Sequence, residues 1–371
     1  MKGVNVLQNK IFAEDLKYIK QNLKKNEKEW FDNTRVLITG CAGFLGFYFM
    51  NFLAHYADYL GVAHLIGIDI FKLGKPKWME DLVDNFEDKL EVYSLDIAKD
   101  DISDIKSLSK ANVILHMASI ASPTFYRKYP LETVDANVWG LRKLFDYYKD
   151  KDIKKFLFFS SSEVYGDPLP EFIPTSEDYR GNVATIGPRA CYDEAKRFGE
   201  TLCYIFANQY NLPVIIVRPF NNYGPGMKLD DKRVPADFAK AILENKDIVI
   251  YSDGTPTRTF CYVADGIVGY IKALTFGIFE CFNIGIDEPE ISIKKLAQIY
   301  VEKGKKIMGY TGNIKFGKSS EKDYLINNPS RRCPNIEKVK RLLNYYPTIG
   351  VEKGVERFLE FIKIEKKGGN L

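Results

Sequence analysis

Glycines 40, 43 and 46 follow an apolar run, Arg35-Val-Leu-Ile-Thr39, and open an amphipathic stretch from Phe44 to Tyr59. Strand, glycine loop and helix in that order constrain the chain more than any other feature. Gly40, Gly43 and Gly46 let the turn tighten and the backbone approach a pyrophosphate. That group rests on the positive end of the helix, at Phe44 and Leu45. A second apolar run, His64-Leu-Ile-Gly-Ile-Asp69, ends in an acid roughly 20 residues after the last glycine. There a carboxylate accepts hydrogen bonds from an adenosine ribose and repels a 2′-phosphate. The pattern predicts a dinucleotide site with NAD favoured over NADP.

Strands and helices continue to alternate. Leu90 to Asp96 reads as a third strand, with Asp96 and Ile97 on the adenine side of the dinucleotide. Asn112 to His116 reads as a fourth, with Met117 and Ala118 beside the cofactor. Lys155–Ser160 and Pro213–Arg218 extend the series, separated by helical runs at Leu131–Tyr148 and Tyr192–Gln209. Nearly continuous apolar strands mean a parallel sheet covered on both faces. The fold class is therefore α/β, a Rossmann-type doubly wound parallel sheet, followed by a smaller mixed α/β C-terminal substrate lobe. The expected divisions are an N-terminal helical extension (1–33), an NAD-binding domain (34–220) and the second lobe (221–371), with some interleaving of strands. Phe12, Leu16, Ile19 and Leu23 predict an amphipathic helix that packs on the domain body or on a second subunit. The Lys- and Gly-rich segment 302–328 reads as an insertion or a mobile loop.

Two further runs carry chemistry. Ser160-Ser-Ser-Glu-Val-Tyr-Gly166 ends the fifth strand, and ligands bind at strand C-terminal ends in open α/β sheets. A hydroxyl there can bond a substrate, and a glutamate can shuttle a proton; the plainer alternative is a turn whose hydroxyls cap the next segment. Downstream, Ile186-Gly-Pro-Arg-Ala-Cys-Tyr-Asp-Glu-Ala-Lys196 puts Tyr192 and Lys196 one turn apart on one helical face. An ammonium near a phenol favours the phenolate and makes it a usable general base. The pair alone could be two solvated side chains. Following the glycine loop and the Ser-Glu turn, it reads as catalytic.

Composition narrows the class. Charged residues make up 27% of the 371 and the net charge is +4 with both signs interspersed, so nothing calls for nucleic acid. Six scattered cysteines without a C-x-x-C pair read as reduced thiols of a cytoplasmic protein. Three dispersed histidines give no metal site, and no apolar run is long enough to span a membrane. The first 30 residues contain acids and lack a hydrophobic centre, unlike a targeting peptide.

Longer runs carry a resemblance. They are Ala118-Ser-Ile-Ala-Ser-Pro123 with Tyr126 and Pro130, Ser176-Glu-Asp-Tyr-Arg-Gly181, Arg218-Pro-Phe-Asn-Asn-Tyr-Gly-Pro-Gly226 and Arg331-Arg-Cys-Pro-Asn-Ile-Glu-Lys338. With the motifs above, these resemble the extended short-chain dehydrogenase/reductases. Within that group they are similar to the NAD-dependent epimerase/dehydratase family, and most of all to its UDP-glucuronate decarboxylases. The resemblance implies that Ser161, Tyr192 and Lys196 handle the protons of a redox step, while Ser162 and Glu163 act at C5 and C6 of a sugar. It implies that Ser122, Tyr126, Asn221, Arg233, Arg258 and Arg332 contact a nucleotide sugar, a UDP-sugar by preference. It also implies a homodimer through the helices at 131–148 and 192–209.

Three chemistries share a 4-keto intermediate. A decarboxylase loses carbon dioxide from C6, a 4,6-dehydratase expels water, and a 4-epimerase turns the ketone over. Glu163 argues against the epimerase, which needs no acid or base there. Ser162 tilts toward decarboxylation, because many dehydratases place an aspartic acid at that position. A non-catalytic dinucleotide sensor would be expected to have lost the tyrosine, lysine or glycines, and all are present.

Overall fold

In the computed structural model, which describes residues 6–72 and 74–369, the apolar runs form one sheet whose side chains alternate between two covered faces. In chain order the elements used below are α1 (Lys10–Gln21), β1 (Thr34–Thr39), α2 (Phe44–His55), β2 (Val62–Asp69), β3 (Leu90–Ser94), β4 (Val113–His116), α3 (Pro123–Lys128), α4 (Leu141–Tyr148), β5 (Lys155–Phe159), α5 (Ala190–Tyr210), β6 (Val214–Pro219), α6 (Val234–Leu243), α7 (Val263–Leu274), β7 (Glu280–Ile284), α8 (Ile293–Met308) and α9 (Val351–Lys367).

The seven strands are all parallel, in the order β3-β2-β1-β4-β5-β6-β7. Val36, Ile38, Leu115, Leu157, Phe159 and Val217 point to one face, under α2 and α7. Leu37, Ile114, Phe156, Phe158, Val214 and Ile216 point to the other, under α4 and α5. Each large apolar side chain buried this way contributes about 1.5–3 kcal/mol. The chain starts at β1, builds to one edge, then returns across it to β4. The ends of β1 and β4 are therefore the switch point where such sheets bind ligands.

Chain beyond residue 221 completes this sheet: β7 pairs with β6, and α7 covers one face. The rest of that part forms short pairings. Thr257–Arg258 lies between Ile291–Ser292 and Arg331–Arg332, and Ile248–Ile250 pairs with Ile314–Phe316. The 302–328 segment is not a free loop. It holds the end of α8 and the strand Ile314–Phe316, and Glu321 accepts hydrogen bonds from Thr124 Oγ1 at 2.6 Å and Arg127 Nε at 3.1 Å.

The N-terminal helix packs on the body of the protein. Phe12, Leu16, Ile19 and Leu23 are all buried. On the same helix Asp15 is fully buried and accepts the hydroxyls of Tyr48 and Tyr262, each at 2.7 Å, and Arg357 Nη2 at 2.7 Å. Its carboxylate thus ties α1 to α2 and α9. Glu27 pairs with Lys272 of α7 at 2.9 Å, both buried.

Element ends differ in detail from the sequence expectation. The helix expected over 44–59 breaks at Tyr56, and β3 stops at Ser94, leaving Asp96 in a loop. The helix expected over 131–148 contains a wider π turn at Asp135–Gly140. Ile97 packs so tightly there that a Cβ on Gly140 would lie 2.6 Å from its Cγ1.

Candidate active site

The glycine loop and the loop after β4 meet at the switch point. Gly40 has φ +70°, and a Cβ on it would lie 2.8 Å from the Ala118 backbone; one on Gly46 would lie 2.3 Å from the Cys41 carbonyl. Only glycine allows this approach. Gly43 caps α2 without a side-chain hydrogen bond, so the first-turn amides at Phe44 and Leu45 are left for an anion. Asp69, at the end of β2, accepts from the amides of Ala42 at 3.0 Å and Phe71 at 2.9 Å. Asp96 bonds the Ala98 amide at 3.0 Å and pairs with Lys99 at 3.4 Å, beside buried Ile97. The Met117 and Ala118 amides donate to Thr39. Gly40, Gly43, Phe44, Leu45, Gly46, Asp69, Asp96, Ile97, Met117 and Ala118 all line one cleft of about 880 Å³. Tight glycines, free amides at a helix start and a carboxylate on the next strand fit NAD.

Deeper in the cleft, Tyr192 stands in the first turn of α5. Its ring stacks on Tyr126, with centroids 5.1 Å apart and planes 11° from parallel. Burial pushes the Tyr192 phenol up to about 12, opposed by a hydrogen bond from Ser161. Lys196 Nζ donates to the Phe159 carbonyl at 2.6 Å and lies 5.8 Å from the Tyr192 ring centre. Burial pulls the Lys196 amine down to about 7. The lysine is anchored to the end of β5 rather than pressed against the phenol oxygen. A bound oxidised nicotinamide, being cationic, would act on a nearby phenol in the direction opposite to burial.

Glu163 is enclosed by arginines. It pairs with Arg189, and with Arg332 Nη2 at 3.1 Å. Burial raises the Glu163 carboxyl, but Arg332, Arg189 and Arg258 outweigh it and hold the group below its ordinary value. Arg332 is almost wholly buried and donates to Ser162 Oγ at 3.1 Å and the Gly166 carbonyl at 2.8 Å. It approaches from behind the cleft wall, whereas its neighbour Arg331 is the exposed member, paired with Glu290. Arg258 donates only to the carbonyls of Thr257, Ser330 and Pro329, and no carboxylate pairs with it among the described residues. Burial and the neighbouring Arg332 lower it to about 10. Two guanidiniums pair with one carboxylate, and a third, near enough to act on it, faces the cleft without an ion pair of its own among the described residues.

The structure brings the other expected site residues to the same cleft. Ser122 Oγ donates to the Asp231 carbonyl, and Arg233 pairs with the Asp231 side chain. Asn221, at φ +43°, donates to the Thr259 carbonyl at 2.9 Å. Tyr126 is buried, with a hydroxyl that has no partner among the described residues. Two residues carried no role in the sequence reading: Arg189, which lines the cleft, and Asp193, which lies behind it at 3.3 Å from Arg189 Nε. Their i, i+4 spacing was a readable signal for a pair, but not for what the pair holds. Among the described residues no group of three or more His, Cys, Asp or Glu could hold a metal ion, and no helix is long and apolar enough to cross a membrane.

Comparison with known proteins agrees with this geometry. Residues 36–285 match the NAD dependent epimerase/dehydratase family. UDP-glucuronic acid decarboxylase 1 of Xenopus tropicalis is 33% identical over 336 residues, covering 90% of this chain and 73% of the relative. The counterpart numbered 1 in Arabidopsis thaliana is 34% identical over 326 residues, 88% and 69% of the two chains. Among solved structures, UDP-glucuronic acid 4-epimerase of Bacillus cereus, in complex with UDP-glucuronic acid and NAD, is 28% identical with a TM-score of 0.73, covering 89% and 99%.

Proposed function

This chain belongs to the NAD-dependent epimerase/dehydratase family, and from that premise we propose that it decarboxylates UDP-glucuronate to UDP-xylose. The observation that carries the reading is Arg258, a cleft-lining guanidinium that makes no ion pair of its own among the described residues, beside the Arg189–Glu163–Arg332 cluster. A uronate carboxylate supplies the missing negative charge. The curated relatives named above carry that activity in their names.

Bound NAD supplies the acceptor, and later the donor, of the hydride at sugar C4. The chain's own residues do the rest. Tyr192 takes the proton of the 4-hydroxyl, with Ser161 hydrogen-bonded to its oxygen. Once C4 is a ketone, the C6 carboxylate is β to it. The C5–C6 bond then breaks, its electron pair flows into the ketone, and carbon dioxide leaves. Ser162 and Glu163 serve this step and the reprotonation of C5. Tyr192 returns its proton to O4, so each turnover consumes one proton and no external oxidant. Lys196, anchored to the Phe159 carbonyl at the end of β5, lines the cleft and would help hold the cofactor. Asn221, Ser122, Tyr126 and Arg233 hold the nucleotide sugar, and Arg332 orients Ser162 and Glu163. Residues 34–220 carry NAD and also supply Ser122, Tyr126, Ser162 and Glu163 to the sugar site, while 221–371 supply its remaining contacts, Asn221, Arg233 and Arg258 among them. Substrate labelled at C6 should release its label as carbon dioxide; full retention would turn the reading to epimerisation or dehydration.

The assembly we infer is a homodimer. Leu131, Trp139, Phe198 and Tyr204 are exposed on the helical segments expected to pair with a second copy, and large exposed apolar side chains in one region mark contact surfaces. Six free cysteines suit a reducing compartment, and the cytoplasm is the location that fits.

A further inference from the structure

Arg189 precedes α5 and uses two nitrogens of its guanidinium for two carboxylates. Nη2 donates to Glu163, while Nε donates to Asp193 Oδ2 at 3.3 Å. Its guanidinium carbon also lies 5.7 Å from the centre of the Tyr126 ring. That ring stacks on Tyr192. One side chain therefore touches the acid assigned to the carbon chemistry and the aromatic stack that orients the base assigned to the redox chemistry. Arg189 and Asp193 are both about 95% buried, each 5% exposed.

Asp193 is not part of the cleft wall, so its carboxylate does not reach a substrate. Its second oxygen has no hydrogen-bond partner among the described residues. Leaving a buried carboxylate oxygen unbonded is costly. What the group does hold is Arg189. A planar guanidinium bonded through two of its nitrogens has a fixed orientation, and a lysine at this position could not serve both carboxylates with the same geometry. Without Asp193 the guanidinium could turn about its bond to Glu163, which would then keep Arg332 as its one fixed partner.

We propose that Arg189 and Asp193 form a positioning pair that sets the Glu163 carboxylate in register with the Tyr126–Tyr192 stack. The proposal rests on the reading that Glu163 acts on the sugar after C4 is oxidised. Small displacements of a reacting group are expensive, since a misplacement near 1 Å costs about 10²-fold.

The test is a double-mutant cycle on the full-length holoenzyme with UDP-glucuronate, comparing Asp193→Asn, Glu163→Gln and the double variant. Asp193→Asn should lower kcat by about 10-fold or more with KM little changed, and leave reduced cofactor bound in the steady state, because oxidation outruns the later step. In the Glu163→Gln background it should have almost no further effect. The same loss of kcat in both backgrounds overturns the proposal, as does a loss of melting temperature with kcat retained. If Asp193→Asn does not fold, Arg189→Lys takes its place in the cycle with the same expectation. A wild-type enzyme that releases no carbon dioxide sinks the functional reading alone. The cycle then runs on whichever nucleotide sugar reduces the bound cofactor, and additivity there still overturns the pair.

Discussion

The phenol rings of Tyr126 and Tyr192 lie 11° from parallel with their centres 5.1 Å apart, so the candidate base is held by its face as well as by Ser161 at its oxygen. Tyr192→Phe keeps that stack and removes only the ionisable oxygen. The melting temperature should stay within a degree or two of wild type, while turnover falls by at least ~10²-fold, the scale of a general-base contribution. Steady-state kinetics with a thermal melt check both halves. Near-normal turnover would mean that the proton goes elsewhere.

Asp69 receives two backbone amides and stands at the end of β2. Binding titrations should find NAD tighter than NADP. Asp69→Ala should weaken NAD by about 10- to 100-fold, the loss of charge-assisted hydrogen bonds worth about 1.5–3 kcal/mol. It should also narrow the preference, because the repulsion of a 2′-phosphate goes with the charge. Tighter NADP binding by the unaltered protein would remove Asp69 from this role.

The glycine loop, the strand order and the Tyr192 helix were legible because each has a period or spacing that backbone geometry forces. The alternation of Val36, Leu37 and Ile38 between two faces follows directly from the strand repeat. Arg332 was harder. Within the basic run at 331–332 nothing distinguishes the exposed arginine from the buried one, and only the pairing of Arg331–Arg332 with Thr257–Arg258 turns Arg332 inward. Arg189 was quoted in a motif yet given no role, because its partner Glu163 comes from a different strand end. The pinning of segment 302–328 by Glu321 was equally invisible, since Thr124 and Arg127 lie on a distant helix. Long-range ion pairs leave no periodicity to read.

Asp15 is fully buried and joins Arg357, Tyr48 and Tyr262. Asp15→Ala should destabilise the fold by about 3 kcal/mol, the low end for breaking a buried pair, since Arg357 keeps Glu14. Denaturant unfolding measures this directly. A change below about 1 kcal/mol would mean that the N-terminal helix is held by its apolar face alone.

Light scattering at micromolar concentration should give the mass of two chains. Trp139→Asp, which charges an exposed apolar position, should shift the protein toward one chain. A wild-type protein that stays at monomer mass would count against pairing through these helices.

The central claim is that the arginine cluster around Glu163 takes a uronate and that the oxidised sugar then loses its carboxyl. Mass spectrometry of the nucleotide sugar after incubation of the purified enzyme with UDP-glucuronate tests it most directly. The account predicts a product lighter than the substrate by one carbon dioxide, replaced by a proton at C5. A product of unchanged mass at a new retention time, or one lighter by water, would contradict it.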